Sequence, residues 1–456
     1  MAAILLAAGI FLGIVGLTAW RPGAGCALIA LAVPLTAGLG RDTLLPLLRP
    51  SEALVMSVLA GVLLNRLWRP RPLYFSGLDL AVFGFSIGSV LIPTLVLLLT
   101  RIQADLDTWR TIMAPVQYLA VYLVFSRSQL SPRATRITLN LMMLASIVVG
   151  VVAVAELVEP NVRTAVAVYY DTPVLPSWDP VYRPTSLLGH FSAVGAFGLM
   201  SCTLALALAA ARVPGFNGVW LSLVMLVNIA SLLASETWAP LVALPAVVVL
   251  ILVYSRRIPP HVWMVLGTLA VSALLLWPFL NERVDQQQLL VGGGSGVAVP
   301  ATLEWRIRYW QEFFIPAAAD NLWFGSGTTI PSMVPEAIDT FVDNEYLYAV
   351  FRAGLLGVGL LLGVFAVIGV VGWRERFSPS HAARAMGAVA LATVIAMALM
   401  GATSEYLTFA AVSQLFWMQV GLLASLRTPE LARSHVVVLR GGLAPDWPGR
   451  PEPAGG

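Results

Sequence analysis

The chain contains no lysine; all 27 of its basic residues are arginine. Its two cysteines, Cys26 and Cys202, stand alone inside apolar runs, which argues against both a disulfide framework and a cysteine metal site. Four histidines scattered over 456 residues make no ligand cluster. Charged residues account for only 11% of the chain, and no basic tract is interleaved with aromatics, so nucleic acid is set aside as a partner. There is no phosphate-binding loop, no nucleotide-binding glycine fingerprint and no serine-hydrolase elbow. Nucleotide-driven work inside this chain is therefore not expected. The N-terminus, MAAILLAAGIFLGIVGLTAW, lacks the basic stretch of a cleaved signal peptide and reads as a membrane span itself.

What the chain does have is apolar length, with 58% hydrophobic residues. A bilayer core needs about 20 apolar residues per helix, and such runs recur nearly throughout. They are continuous, where the strands of a membrane barrel would alternate, so the expected fold is an all-α, polytopic transmembrane bundle. The runs and their breakers predict spans at 3–20, 24–40, 52–67, 78–100, 111–126, 136–157, 191–211, 217–234, 238–255, 261–280, 345–371, 385–402 and 407–426. Only Arg21-Pro22-Gly23 divides the first two, giving twelve or thirteen crossings. The bundle occupies 1–426, and a cytoplasmic, disordered tail is expected over 427–456. One set of alternate connections, with the tail, carries 17 of the 27 arginines and is assigned to the cytoplasm by the positive-inside rule.

Two long connections then fall on the outer face, at 158–190 and 281–344. Loops of that length are usually functional or disordered. In the second, VGGGSGVAVP reads as a hinge, followed by ATLEWRIRYWQEFF with Leu303, Ile307, Trp310 and Phe314 at helical spacing. This predicts an amphipathic helix at the membrane surface or over the bundle. On it, Arg308 is expected to pair with Glu304 four residues earlier. Arg306 points elsewhere, with Trp310 one turn on, a combination suited to a phosphate and a sugar ring. Arg352 lies about two turns into a span, where a charge is a functional hypothesis by default. The alternative is that it reaches outward to Asp343, Glu345 or another outer acid. Gly354 and Gly357 need no role beyond close helix packing. Arg183 and His190 end the first loop in VYRPTSLLGHF, where a lone histidine at a helix start is more often a cap than a base. Glu236 and Glu405 sit at outer span ends, and each taken alone faces the headgroups. Asp105-Leu106-Asp107 is like the paired acids with which some membrane glycosyltransferases hold a metal, a pattern short enough to arise by chance.

The segments WRIRYWQEFFIPAAADNLWFGSGT and VDNEYLYAVFRAGLLG resemble those of the O-antigen ligase and polysaccharide polymerase superfamily of bacterial envelopes. Arg306 and Trp310 match its Arg-x-x-x-Trp helix, and Gly325 and Gly327 its Gly-x-Gly turn. Asp343, Asn344, Tyr346 and Leu347 match its His/Asp-Asn-x-Tyr-Leu element. VYRPTSLLGH fits an arginine, Arg183, before a membrane-entering glycine element. Asp343-Asn344 stands where ligases usually have His-Asn and is closer to the polymerase branch. Ser235-Glu236 stands where the family has Ser-Arg.

The resemblance implies a C-type glycosyltransferase architecture in the bacterial cytoplasmic membrane, with its site on the outer face. The implied activity joins a glycan from a polyprenyl-diphosphate donor to an acceptor glycan, inverting the anomeric centre, with no metal and no cofactor. Membrane lipids and other envelope assembly proteins are the further partners implied. It also implies site roles: Asp343, Glu236 and Arg306 in catalysis, and Arg183, Arg352, Trp310, Asn344, Tyr346 and His190 in substrate binding. Four alternatives remain. They are ligase-type transfer to a lipid or other acceptor, a transporter or flippase of lipid-linked glycans, a metal-dependent glycosyltransferase using Asp105 and Asp107, and a non-catalytic scaffold.

Overall fold

A computed structural model describes residues 2–40, 49–70, 75–101, 103–170, 182–255, 301–327 and 342–441, with scattered positions between 263 and 281. The described residues form helices and no strand; an isolated bridge joins Leu39 to Tyr170. In chain order they are α1 (Ala2–Trp20), α2 (Pro22–Thr36), α3 (Pro50–Trp68), α4 (Gly77–Thr100), α5 (Leu106–Arg127), α6 (Pro132–Val158), α7 (Pro160–Tyr169), α8 (Phe191–Ala210), α9 (Gly218–Ala234) and α10 (Trp238–Ser255). Then follow α11 (Ala301–Tyr309), a π turn (Trp310–Phe314), α12 (Ile315–Asp320), α13 (Glu345–Arg374), α14 (His381–Met400) and α15 (Ala410–Gly441).

Six of them begin where a short polar residue satisfies free backbone N–H groups. Ser76, Asp105, Ser131, Asn217, Asn344 and Ser380 all cap in this way. Asp105 thereby accepts the Thr108 N–H at 2.7 Å, and hydrogen bonding from the Thr108 side chain, then from its N–H, holds its carboxyl below the usual range. The Asp-Leu-Asp pattern is a helix start.

Among the described residues, seven helices are long and apolar enough to cross a membrane: α3, α4, α6, α8, α10, α13 and α14. The protein is thus a membrane protein, helical throughout its described residues. Three further expected spans give shorter apolar helices, Ala8–Trp20, Pro22–Thr36 and Gly218–Ala234. At 1.5 Å per residue, the 15 residues of α2 rise only about 22 Å against a core of about 30 Å. The expected span at 261–280 and the 291–300 hinge lie outside the described residues, apart from scattered positions in the former.

Helix α8 is buried at nearly every position and forms the axis of the bundle, with α14 and the first half of α15 beside it. Outer helices keep their leucines exposed, among them Leu91, Leu95, Leu98 and Leu99 of α4, as lipid-facing surfaces do.

Ion pairs mark one end of the bundle. Arg127 at the close of α5 binds Asp79 at the start of α4, which also takes the Tyr122 hydroxyl at 2.7 Å. At the same end of α13, Glu375 receives Arg427 of α15 at 2.6 Å.

Two expectations are corrected. Beside them, α15 is described as helix as far as Gly441, past the expected start of the tail at 427. The buried face of the loop helix is Tyr309, Phe314 and Ala318, packed on Tyr348 and Phe351, while Ile307 is exposed. The π turn inserts an extra residue and shifts the stripe that a regular helix would have presented. Finally, α13 is broken at Ala353 and Gly354, whose backbone there is non-helical.

Candidate functional site

The end of the bundle opposite the Asp79 and Glu375 pairs gathers most of the expected site residues. From α11, Arg306 donates its Nε–H to Asp343 Oδ2 at 3.1 Å. One turn on, Trp310 donates its indole N–H to the Val342 carbonyl at 2.8 Å. These two rungs clamp the loop helix onto the residues that open α13. Arg308 points away and pairs with Glu304 at 3.5 Å, both exposed, as its spacing predicts.

Asp343 takes a left-handed backbone (φ +54°), and Asn344 caps α13 by accepting the Tyr346 and Leu347 N–H groups, each at 3.0 Å. The Asn344 amide donates to the Ala402 carbonyl at 3.1 Å, and the Tyr346 hydroxyl to that of Ala398 at 2.6 Å. Asn344 and Tyr346 therefore fasten backbone at the site's floor.

Beneath Asp343 lies a buried acid that stood alone in the sequence reading. Glu405, in the turn between α14 and α15, accepts the Val342 N–H at 2.6 Å. Its burial, then the charges of Asp343 and Glu345, push its carboxyl well above the usual range. Glu345 is buried next to it and accepts the Leu407 N–H at 3.0 Å, while its own N–H donates to the Gly401 carbonyl at 2.8 Å. The segments 342–345 and 401–408 are thus interlaced.

Arg183 and His190 bracket a short strap, residues 183–190, that carries a 3₁₀ turn at Ser186–Leu188. The Arg183 guanidinium lies 3.6 Å from the Phe191 ring centre. His190 caps α8 by accepting the Ser192 N–H on Nδ1 at 3.1 Å, and it stacks between Phe191 and Phe409 at 4.3 and 4.6 Å. Burial first, then the charges of Arg183 and Arg306, push its pKa down to about 3. The imidazole is therefore neutral at pH 7, and both arginines bear on it. Glu236, half-buried with φ +49°, belongs to the same end. It lies between Ser235 and Thr237, which stand against Gly195, one turn into α8.

Arg352 is elsewhere. Its guanidinium is buried between α4 and α5, donating to the Ile112 carbonyl at 3.2 Å and, at 3.4 Å, to the Ser89 carbonyl and the Tyr348 hydroxyl. Ser89 is four residues before Pro93, which has no N–H, so its carbonyl lacks the usual helix partner. Arg352 lines an inner cavity of about 40 Å³ with Glu345, Tyr118, Tyr348, Ser89 and Thr408. That volume holds a water or two, not a diphosphate. Arg183 and Arg306 share one field at the bundle's end, and Arg352 lies behind the acids, connected through Glu345 and Glu405.

The glycine turn after α12 explains the break in α13. Ser326 N–H donates to the Phe351 carbonyl and Leu355 N–H to that of Leu322, both at 2.8 Å. Gly325, Gly327 and Gly354 all have positive φ. A Cβ on Gly354 would come within 2.2 Å of the Trp323 carbonyl. The turn is keyed into the broken helix and satisfies backbone groups that lipid could not.

Compared by sequence with protein-family models and with curated proteins, the chain matches none. The family likeness therefore rests on the short motifs themselves.

Of the residues that matter here, sequence reasoning did not assign Glu345, Tyr118 and Tyr348, and it left Glu405 at the headgroups. The one signal available was Pro93 in α4, which frees the Ser89 carbonyl for an arginine.

Proposed function

We propose that the chain is a membrane glycosyltransferase of the polysaccharide polymerase type. It joins glycan units from a polyprenyl-diphosphate donor to an acceptor glycan at the outer face of the bacterial cytoplasmic membrane. On this reading the helices make twelve or thirteen crossings, and the Arg306 end faces outward. The observation that carries the proposal is the Arg306–Asp343 pair, joined to buried Glu405 at the end that also holds Arg183 and His190.

The chemistry follows from that grouping. An acceptor hydroxyl gives its proton to Asp343 as its oxygen attacks the anomeric carbon. The bond from that carbon to the diphosphate oxygen breaks, and the electron pair leaves on the diphosphate. Direct attack inverts the anomeric centre. Charge growing on the leaving group needs fixed positive donors in a poorly hydrated place, and Arg183 and Arg306 supply them. Burial pushes the Glu405 carboxyl well above its usual range, so it opposes that field less than an exposed carboxylate would. A neutral His190 donates Nε2–H, since Nδ1 is already an acceptor. Arg352, bonded to backbone carbonyls of α4 and α5 behind the acids, does not touch the donor.

The broken α13 beside a buried arginine favours one second reading, a carrier of lipid-linked glycans, because transporters are often built on discontinuous helices. One assay separates the two. Purified protein in detergent, where there is no second leaflet, is incubated with a polyprenyl-diphosphate oligosaccharide. Our reading expects longer glycans by gel, with or without EDTA. A carrier produces no longer chain, and product only without EDTA returns the site to a metal enzyme.

A further inference from the structure

We infer that Glu156 is a positioning residue for Arg183, an inference that rests on the reading of Arg183 as a ligand of the donor diphosphate. Glu156 stands near the end of α6, fully buried in a segment built to cross a membrane. An acid there is costly unless its bonds do something.

Its Oε2 accepts two hydrogen bonds, from the Tyr182 hydroxyl at 2.7 Å and from the Thr185 N–H at 3.1 Å. Those donors lie immediately before Arg183 and two residues after it. The geometry is reinforced from α7: Arg163 stacks on the Tyr182 ring at 3.7 Å and donates to the Glu156 backbone carbonyl at 3.3 Å. Further along the strap, Ser186 Oγ–H donates to the Val149 carbonyl at 2.7 Å, two turns earlier on α6. The strap is thus fastened to one helix on both sides of Arg183. The one oxygen Oε2 has two lone pairs and so holds a side-chain hydroxyl and a backbone amide at once. With the backbone fixed, the Arg183 guanidinium is held over Phe191 at the mouth of the site.

The test uses the full chain in lipid nanodiscs with Glu156→Ala, Glu156→Gln and Tyr182→Phe. Gln keeps an acceptor oxygen for both bonds. The donor kcat/KM should fall about tenfold in Glu156→Ala and stay near wild type in Glu156→Gln. In an Arg183→Ala background, Glu156→Ala should add no further loss, because its only route to the donor is already gone. Multiplying losses, or no loss at all, would overturn the inference. Hydrogen exchange of the 185–188 amides gives a readout independent of turnover. Exchange should quicken in Glu156→Ala and, less, in Tyr182→Phe, which serves alone if the alanine variant does not fold. Unchanged exchange in both removes the fastening itself. A wild-type protein that never lengthens a glycan sinks the proposed function, while the exchange result still decides whether Glu156 sets the strap.

Discussion

Arg306 and Arg308 stand two residues apart on one helix and do opposite things. Arg308 meets an exposed partner one turn back, a pair that contributes only about 0.3–0.5 kcal/mol. Arg306 is directed at Asp343 and keeps 28% of its side chain exposed at the site. Arg306→Lys keeps the charge and loses the planar fork that suits a diphosphate. A lost charge-assisted hydrogen bond costs about 1.5–3 kcal/mol, so turnover should drop about 10- to 100-fold in the lengthening assay. Arg308→Lys should stay near wild type, and equal activity in the two variants would make Arg306 structural. Glu405 offers a second check. Its folded pKa is raised, so its contribution to stability is fully present below the unfolded value of about 4.3 and is lost as pH rises through the folded one. Melting measured across pH should show wild type losing stability relative to Glu405→Gln as the pH climbs; parallel curves would contradict the buried acid. Arg306 was legible because its motif is local. Glu405 was not, since its partners, Val342 and Asp343, are some sixty residues away in sequence, and only the fold makes them neighbours.

At the scale of elements, apolar runs and their breakers made most helices readable, while caps such as Ser76 before α4 and Asn344 before α13 set where they begin. Two local departures were not readable. The π turn at Trp310–Phe314 depends on packing against Tyr348 and Phe351, which lie in another helix. The break at Gly354 depends on a turn that reaches in from 322–326. In the sequence, Gly354 is one of several glycines in α13 and resembles an ordinary packing site. Gly354→Ala and Gly359→Ala separate the two uses. The first residue has φ +63° and no room for a Cβ, and the second has open space. Backbone strain alone costs about 1–3 kcal/mol at such a position, before the clash. Thermal unfolding in detergent should show a clear fall for Gly354→Ala and little change for Gly359→Ala. Similar melting of both would mean that the turn is not keyed into the helix.

At the scale of the whole molecule, the bundle has two differently built ends. One is closed by direct ion pairs, Arg127 with Asp79 and Arg427 with Glu375. The other carries Arg183, His190, Arg306, Asp343 and Glu405, under a loop helix that Arg306 and Trp310 bond to the bundle. Alternation of the spans along the sequence already put the connections that hold Arg183, Arg306 and Asp343 on one side of the bundle. It did not place Arg352, because an arginine two turns into a span can reach outward or inward with the same pattern, and here the free Ser89 carbonyl drew it inward. The central claim is that a glycan carrier's diphosphate binds at the open end, and it is tested most directly by a cryo-electron microscopy structure of the protein in nanodiscs with a polyprenyl diphosphate. The account predicts diphosphate density bridging the guanidinium groups of Arg183 and Arg306 beside Asp343. Density at the Asp79–Arg127 end, or no ordered diphosphate against either arginine at saturating lipid, would contradict it.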